Sequence, residues 1–244
     1  MHGLIQDFRY GLRLLFKHRA VTAVAVIALT LGIGANTAIF SVVHAALIRS
    51  FPYREGDRLA IVWEHRRSGT KPNPQNTINM GNFFDWKEQN TVFSDMAAFF
   101  DFNTNLTGNG EPEEIPAQLA TTNLFSLLGV NPIKGRTFAP DEGKTGQPQV
   151  VIVSYELWQR RFGGDANIIG RKVTLNNLPN EVIGVLPPEV GWYVQKGSMV
   201  NKPPQIWTPW QVSNELRQRQ GRFARAVARL KPGVTFEQAQ NEMN

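Results

Sequence analysis

The chain has 244 residues, no cysteine, four histidines and a formal charge of +6. That length allows one or two domains with a real core, and the lack of cysteine excludes a disulfide framework, thiolate-bound zinc and a thiol nucleophile. The basic balance does not point to nucleic acid: Arg9, Arg13, Lys17 and Arg19 against Asp7 put +3 into the first 19 residues, and the other charges are nearly balanced and dispersed.

Leu4, Ile5, Phe8, Leu12, Leu15 and Phe16 recur at helical spacing, with Arg9, Arg13 and Lys17 on another face. This predicts a helix lying in a membrane surface over residues 1–19. Residues 20–48, AVTAVAVIALTLGIGANTAIFSVVHAALI, hold no Asp, Glu, Lys or Arg. A bilayer core needs about 20 apolar residues, so this run is long enough to span and to project roughly two turns further. A signal peptide has an apolar region of only about 7–15 residues. Cleavage near Ala45–Ala46 is therefore the weaker reading, and a buried soluble helix of this length without a charge would be unusual. The flank of Arg9, Arg13, Lys17 and Arg19 places the N-terminus in the cytoplasm, although Arg49, Arg54 and Arg58 reduce the contrast. Thr30, Gly34 and Ala38 line one face of the span, and Asn36 is costly there if it meets lipid. Such a helix is built to pack against other helices.

Beyond the span, Arg58–Trp63 reads as a first strand and Ser68–Asn76 as a Pro/Gly/Asn loop. Asn82–Gln89 reads as a helix packing Phe83, Trp86 and Phe84. Asn105–Gly110 reads as a turn, Ile115–Thr121 as a strand, and Asn123–Leu128 as a short helix stopped by Gly129. Val150–Val153 is a buried strand, and Ser154 caps a helix over Tyr155–Arg161. Arg171–Leu175 and Glu181–Leu186 form a hairpin around a turn at Asn176–Asn180. Ile206–Trp207 and Ala224–Leu230 are strands, Lys231–Gly233 turns, and Thr235 caps a last helix from Phe236. The irregular alternation of strands and helices predicts an α+β class. The last helix opens just before Asn244, which gives the expectation of a fragment of something longer.

Little here suggests catalysis. His2 and His18 precede the span and His44 lies within it, so only His65 is left for the outer domain, and a histidine-rich metal site is excluded. A hydrolase built on His65 and a carboxylate ranks last, since no nucleophile elbow occurs. Carboxylates such as Asp85 and Glu88 are plentiful, and Asp141–Glu142, beside Gly143 in a loop, reads as solvated charge rather than a paired acid and base. Gly164–Lys172, GDANIIGRK, misses the phosphate-loop spacing and reads as a turn. The arginines of Arg222–Arg229 alternate with apolar residues and read as a strand flank. Trp192, Tyr193 and Trp210 are candidates for a partner-binding surface or for half-buried packing. No catalytic, cofactor-binding or metal-binding residues are assigned.

Several stretches taken in order resemble one family. They are DFRYGLRLLFKHRAVTAVAVIALTLGIGANTAIFSVV, FFDWKEQNTVFSDMAA, TTNLFSLLGVNPIKGRTF, VVIVSYELWQRRFGG, IIGRKVTLNN, VIGVLPP and ARLKPGVTFEQAQNEM. The chain resembles MacB/FtsX-type ABC transporter permeases: a first membrane helix, then a MacB-like periplasmic core domain. The N-terminal stretch is nearest to the large duplicated permeases of acidobacteria. The resemblance implies an N-terminal surface helix (1–19), a transmembrane helix (20–48) and a two-lobed mixed α/β periplasmic core domain (49–244), incomplete at its C-terminus. Arg58–Phe100 with the C-terminal strand and helix would form one lobe, and roughly 105–215 much of the other. It further implies a non-catalytic permease subunit in the bacterial inner membrane, relaying ATP-driven motion to the periplasm for export. The implied partners are an ABC ATPase subunit, further permease helices or a second permease copy, and a periplasmic adaptor or outer-membrane channel. The alternative is a stand-alone, single-pass anchored protein whose outer domain binds or senses a ligand.

Overall fold

The computed structural model describes residues 22, 53–64, 77–108, 110–190, 200, 202–211, 213, 215–218 and 221–243. The chain divides into two compact units, Met1–Ser50 and Phe51–Asn244. The expected surface helix and membrane span fall, Thr22 apart, outside the described residues. Among the described residues no helix is long and apolar enough to cross a membrane.

In chain order the second unit contains β1 (Leu59–Val62), α1 (Met80–Gln89), β2 (Phe93–Thr107), β3 (Glu113–Ala120), α2 (Leu124–Leu128), β4 (Lys134–Gly135) and β5 (Val150–Val153). There follow α3 (Tyr155–Phe162), β6 (Lys172–Leu175), β7 (Leu178–Val185), β8 (Ile206–Pro209), β9 (Arg225–Leu230) and α4 (Phe236–Met243). The strands form one sheet in the order β1-β9-β2-β3-β8-β5-β7-β4, with β6 pairing with both β2 and β7. Pairing is antiparallel except for β3 with β8 and β5 with β7.

Alternation along the strands sorts the core into faces. Ala97 and Phe99 of β2, Val227 of β9, Ala120 of β3, Ile152 of β5 and Trp207 of β8 point to the face covered by α2. Their neighbours in sequence point the other way. Met96, Ala98, Ala226 and Ala228 meet α1 and α4, whereas Val151, Val153, Ala117 and Ile206 meet Leu157, Trp158 and Phe162 of α3. One small helix therefore backs both halves of the sheet, while each half has its own helical cover on the opposite face.

The helix starts follow from caps. Asn79 Oδ1 accepts from the backbone N–H of Gly81 (2.8 Å) and Asn82 (3.4 Å), so α1 begins two residues before the expected Asn82. The buried Glu64 carboxylate accepts from the Asn79 N–H and the Asn82 side chain, both at 2.7 Å, and pairs with Arg222. Ser154 Oγ accepts from the Leu157 N–H at 3.1 Å and opens α3 as expected. Gly163 (φ 61°) closes α3, and Gly164 and Gly170 also sit at positive φ, so GDANIIGRK is indeed a turn.

Two local expectations are corrected. Asn105–Thr107 is strand rather than turn. Leu106 is fully buried opposite Glu113 and Leu175, the Asn105 carbonyl accepts from the Asn176 N–H, and the Asn105 N–H donates to Asn176 Oδ1. Tertiary pairing overrides the turn preference of Asn, and the chain bends only at Gly108 (φ 88°). The hairpin turn is also shorter than expected. It is Asn176–Asn177, at φ 47° and 67°, a two-residue loop whose twist matches the flanking strands.

Candidate functional site

The chain enters the described part of the second unit at Tyr53–Arg58, and this junction is fastened rather than slack. Tyr53 packs against the cluster under α2, and burial pushes its hydroxyl pKa well above the ordinary value. Glu55 holds a left-handed conformation (φ 49°, ψ 51°), which leads into a turn of 3-10 helix, Gly56–Arg58.

The fastening uses groups that a helix leaves unpaired. The last carbonyls of any helix lack intrahelical donors. In α2 the Leu128 carbonyl accepts from the Arg54 N–H at 3.2 Å. The Leu127 carbonyl accepts from Nε (3.1 Å) and Nη2 (2.6 Å) of Arg229 in β9. Arg229 Nη1 donates to the Glu55 carbonyl at 3.0 Å, and the Glu55 carboxylate lies 3.6 Å away. The Arg229 side chain is only 7% exposed. Burial lowers its pKa from the ordinary value and Glu55 opposes that shift, but a guanidinium stays charged in proteins. Its charge at a helix C-terminus also complements the macrodipole. On the other side, Arg58 Nε donates to the Leu230 carbonyl at 3.0 Å, and its guanidinium pairs with Glu55. Gly129 (φ 72°) ends α2 flush against the junction, where a Cβ would stand 2.5 Å from Arg54 Cβ. The junction, α2 and β9 are thus joined by charge-assisted bonds to named carbonyls.

A second feature is a cleft of about 680 Å³ beside β3 and β8, lined by Pro116, Pro187, Pro203, Pro204, Gln205 and Trp207 among others. At its rim Arg160 forks onto Glu113 (2.9 and 2.7 Å) and reaches Gln205 at 3.2 Å. The fork holds the Glu113 carboxyl below its usual pKa. Ser154 also lines the cleft, but its hydroxyl accepts the α3 capping bond. Among the described residues no group of three His, Cys, Asp or Glu could hold a metal ion.

The predicted site residues fare unevenly. Arg9, Arg13, Lys17, Arg19, Thr30, Gly34, Asn36, Ala38, His65, Trp192 and Tyr193 lie outside the described residues. Trp210 is not a surface residue. It is 5% exposed, packed between Phe100 (6.3 Å) and Phe223 (6.1 Å), because β8 carries it beneath the α1 side of the sheet. Glu142 is not solvated either. It is buried in a fork from Arg136 (3.0 and 2.7 Å) and accepts the Ala139 N–H at 2.7 Å. Sequence reasoning also passed over Arg225 and Arg229, reading them as a strand flank. Both lie within β9, and Arg229 is buried. The available signal was their four-residue spacing, which puts both on one face of an apolar strand.

Residues 22–244 match the family described as MacB-like periplasmic core domain. The chain belongs to that family. Members are periplasmic domains of ABC-transporter permeases, so the chain is a component of a transporter family. The Macrolide export ATP-binding/permease protein MacB of Burkholderia pseudomallei (strain 1710b) is 23% identical over 267 residues, covering 98% of this chain and 36% of that protein. The protein of the same name from Salmonella paratyphi A is 25% identical over 119 residues, covering 49% of this chain and 17% of that protein. The chain thus spans 17 to 36% of the length of these two curated relatives. The crystal structure of the periplasmic region of MacB from Actinobacillus actinomycetemcomitans superposes with a TM-score of 0.51 at 16% identity, over 75% of this chain and 78% of that one. The MacB-like domain therefore shares that mixed α/β fold.

Proposed function

We propose that this chain is the leading part of the membrane subunit of a MacB/FtsX-type ABC transporter. Residues 1–19 lie on the cytoplasmic surface through Arg9, Arg13, Lys17 and Arg19. Residues 20–48 cross the inner membrane, packing through Thr30, Gly34, Asn36 and Ala38 against further permease helices or a second permease copy. The core domain of two lobes stands in the periplasm. A separate ABC ATPase hydrolyses ATP, and the domain relays the resulting motion for export, toward an adaptor or outer-membrane channel. The chain itself does no chemistry.

The observation that carries this reading is the fastened junction. A flexible tether would let an anchor and a domain move independently, whereas Arg229 binds the incoming segment to α2 and β9 at once. The test is to read the gene past codon 244. A continuing frame with three more apolar helices, beside an ATPase gene, supports the relay. A stop codon with no ATPase neighbour overturns it and favours a stand-alone anchored binding protein, the reading to which the proline-lined cleft lends support.

A further inference from the structure

β9 carries a second arginine four residues before Arg229, on the same face. Arg225 donates through Nη1 to Asp101 Oδ2 of β2. Asp101 Oδ1 accepts from Gln118 Nε2 of β3 at 2.7 Å. Gln118 Oε1 accepts from Trp207 Nε1 of β8 at 3.1 Å. These four side chains make an unbroken line across four adjacent strands, and the line is deeply placed. Gln118 has no exposed surface, Trp207 is buried, and Arg225 and Asp101 are nearly so.

Buried polar groups are costly unless paired, and apolar residues would fill this layer more cheaply. The line also crosses the parallel β3–β8 pairing, the step between the half of the sheet holding the junction and the half flanked by α3. Its first member shares β9 with Arg229, and its last lines the cleft. Consecutive hydrogen bonds of this kind polarise and stiffen one another.

We propose that Arg225, Asp101, Gln118 and Trp207 form a transverse tie that carries displacement of the junction across the sheet to the cleft. This deepens the relay reading and rests on it for its purpose, but the tie is a property of the chain alone. A rival route runs through α2, whose Phe125 ring meets the Trp207 ring at 5.8 Å, nearly edge-on. Gln118→Met separates the two, because it removes the bonds to Asp101 and Trp207 and leaves both rings of the Phe125–Trp207 contact in place.

The experiment is hydrogen exchange on the full chain in detergent micelles, with Arg229→Met used to loosen the junction. In the parent chain the amides of residues 53–58 and of Gln205–Thr208 should both exchange roughly tenfold faster. With Gln118→Met already present, Arg229→Met should still accelerate residues 53–58 but leave Gln205–Thr208 unchanged. Equal acceleration of β8 in both backgrounds would assign the effect to α2 or the backbone ladder and overturn the tie. No response of β8 in either background would overturn it as well. If Arg229→Met unfolds the unit, Glu55→Gly replaces it, because glycine suits the left-handed backbone there and the pairs of the Glu55 carboxylate with Arg58 and Arg229 are lost with its side chain. Failure of the relay reading is read elsewhere, from the gene past codon 244, so the two can fail separately.

Discussion

The two halves of the sheet hold together by different means. Around α3, the strands β5 and β7 bury Val151, Val153, Val182 and Val185 against Leu157, Trp158 and Phe162. That core is apolar and non-directional, and many packings of similar volume would serve it. Around β9, the small residues Ala226 and Ala228 give little area, and the face toward α2 carries Arg225 and Arg229 instead. Those arginines reach particular carbonyls and the carboxylates of Asp101 and Glu55, so that half is specified by geometry. Apolar packing supplies stability, whereas the arginines decide which segments move together.

The largest expected effect is on packing. Phe125 lies fully buried between Phe138 and Trp207. Phe125→Ala should cost about 3–5 kcal/mol, measured by denaturant unfolding. Arg229→Met comes next, at about 2–4 kcal/mol, because it leaves the Leu127 and Glu55 carbonyls without their donor. The comparison sharpens if Arg229→Met frees residues 53–58 to protease well below the global transition. It breaks if the α3 core loosens by the same amount. Ser154→Ala should cost about 1 kcal/mol, felt only around α3.

Acid should act on the two halves with opposite sign. Burial raises the Glu142 pKa, but the Arg136 fork and the Ala139 N–H outweigh it and hold the carboxyl below its usual value. Its contribution is therefore present at neutral pH and lost as pH falls below the usual carboxylate range. Asp101 is raised by burial, against the lowering pull of Gln118 and Arg225. That contribution declines as pH rises from the usual carboxylate value through the folded one. Glu142→Gln should flatten the acid-side loss, and Asp101→Asn should remove the opposing slope, both read from stability against pH. The smallest perturbation is Leu178→Cys, at an exposed site in a chain without native cysteine. A membrane-impermeant maleimide should label it in cells made permeable only at the outer membrane, and exclusive labelling after lysis would overturn the periplasmic orientation.

What could be read in advance depended on whether the signal was local. Val150–Val153, the Ser154 cap, the Gly129 stop and the strand around Arg225–Leu230 all announce themselves within a few residues, and each stands where expected. β2 does not. Met96–Phe99 is buried on both faces, so no two-residue alternation appears, and the Asn-rich end of the strand imitates a turn. The junction was equally hidden. Nothing near Arg229 in sequence shows that its partners are Leu127 and Glu55, more than 100 residues away. Trp210 misled for the converse reason, since an aromatic beside loop residues looks superficial until Phe100 and Phe223 close over it.

β2 runs unbroken for 15 residues, pairing with β9 at its start, β3 along its middle and β6 at its end. A crossover between homologous genes placed near residues 100–105, where the two expected lobes would meet, would cut one strand into halves from different parents. Exchange that respects this beam must fall in turns such as those at Gly108 or Gly163–Gly164. The domain is then inherited as a block on either side of β2, and variation among relatives should accumulate in its loops rather than by swapping lobes.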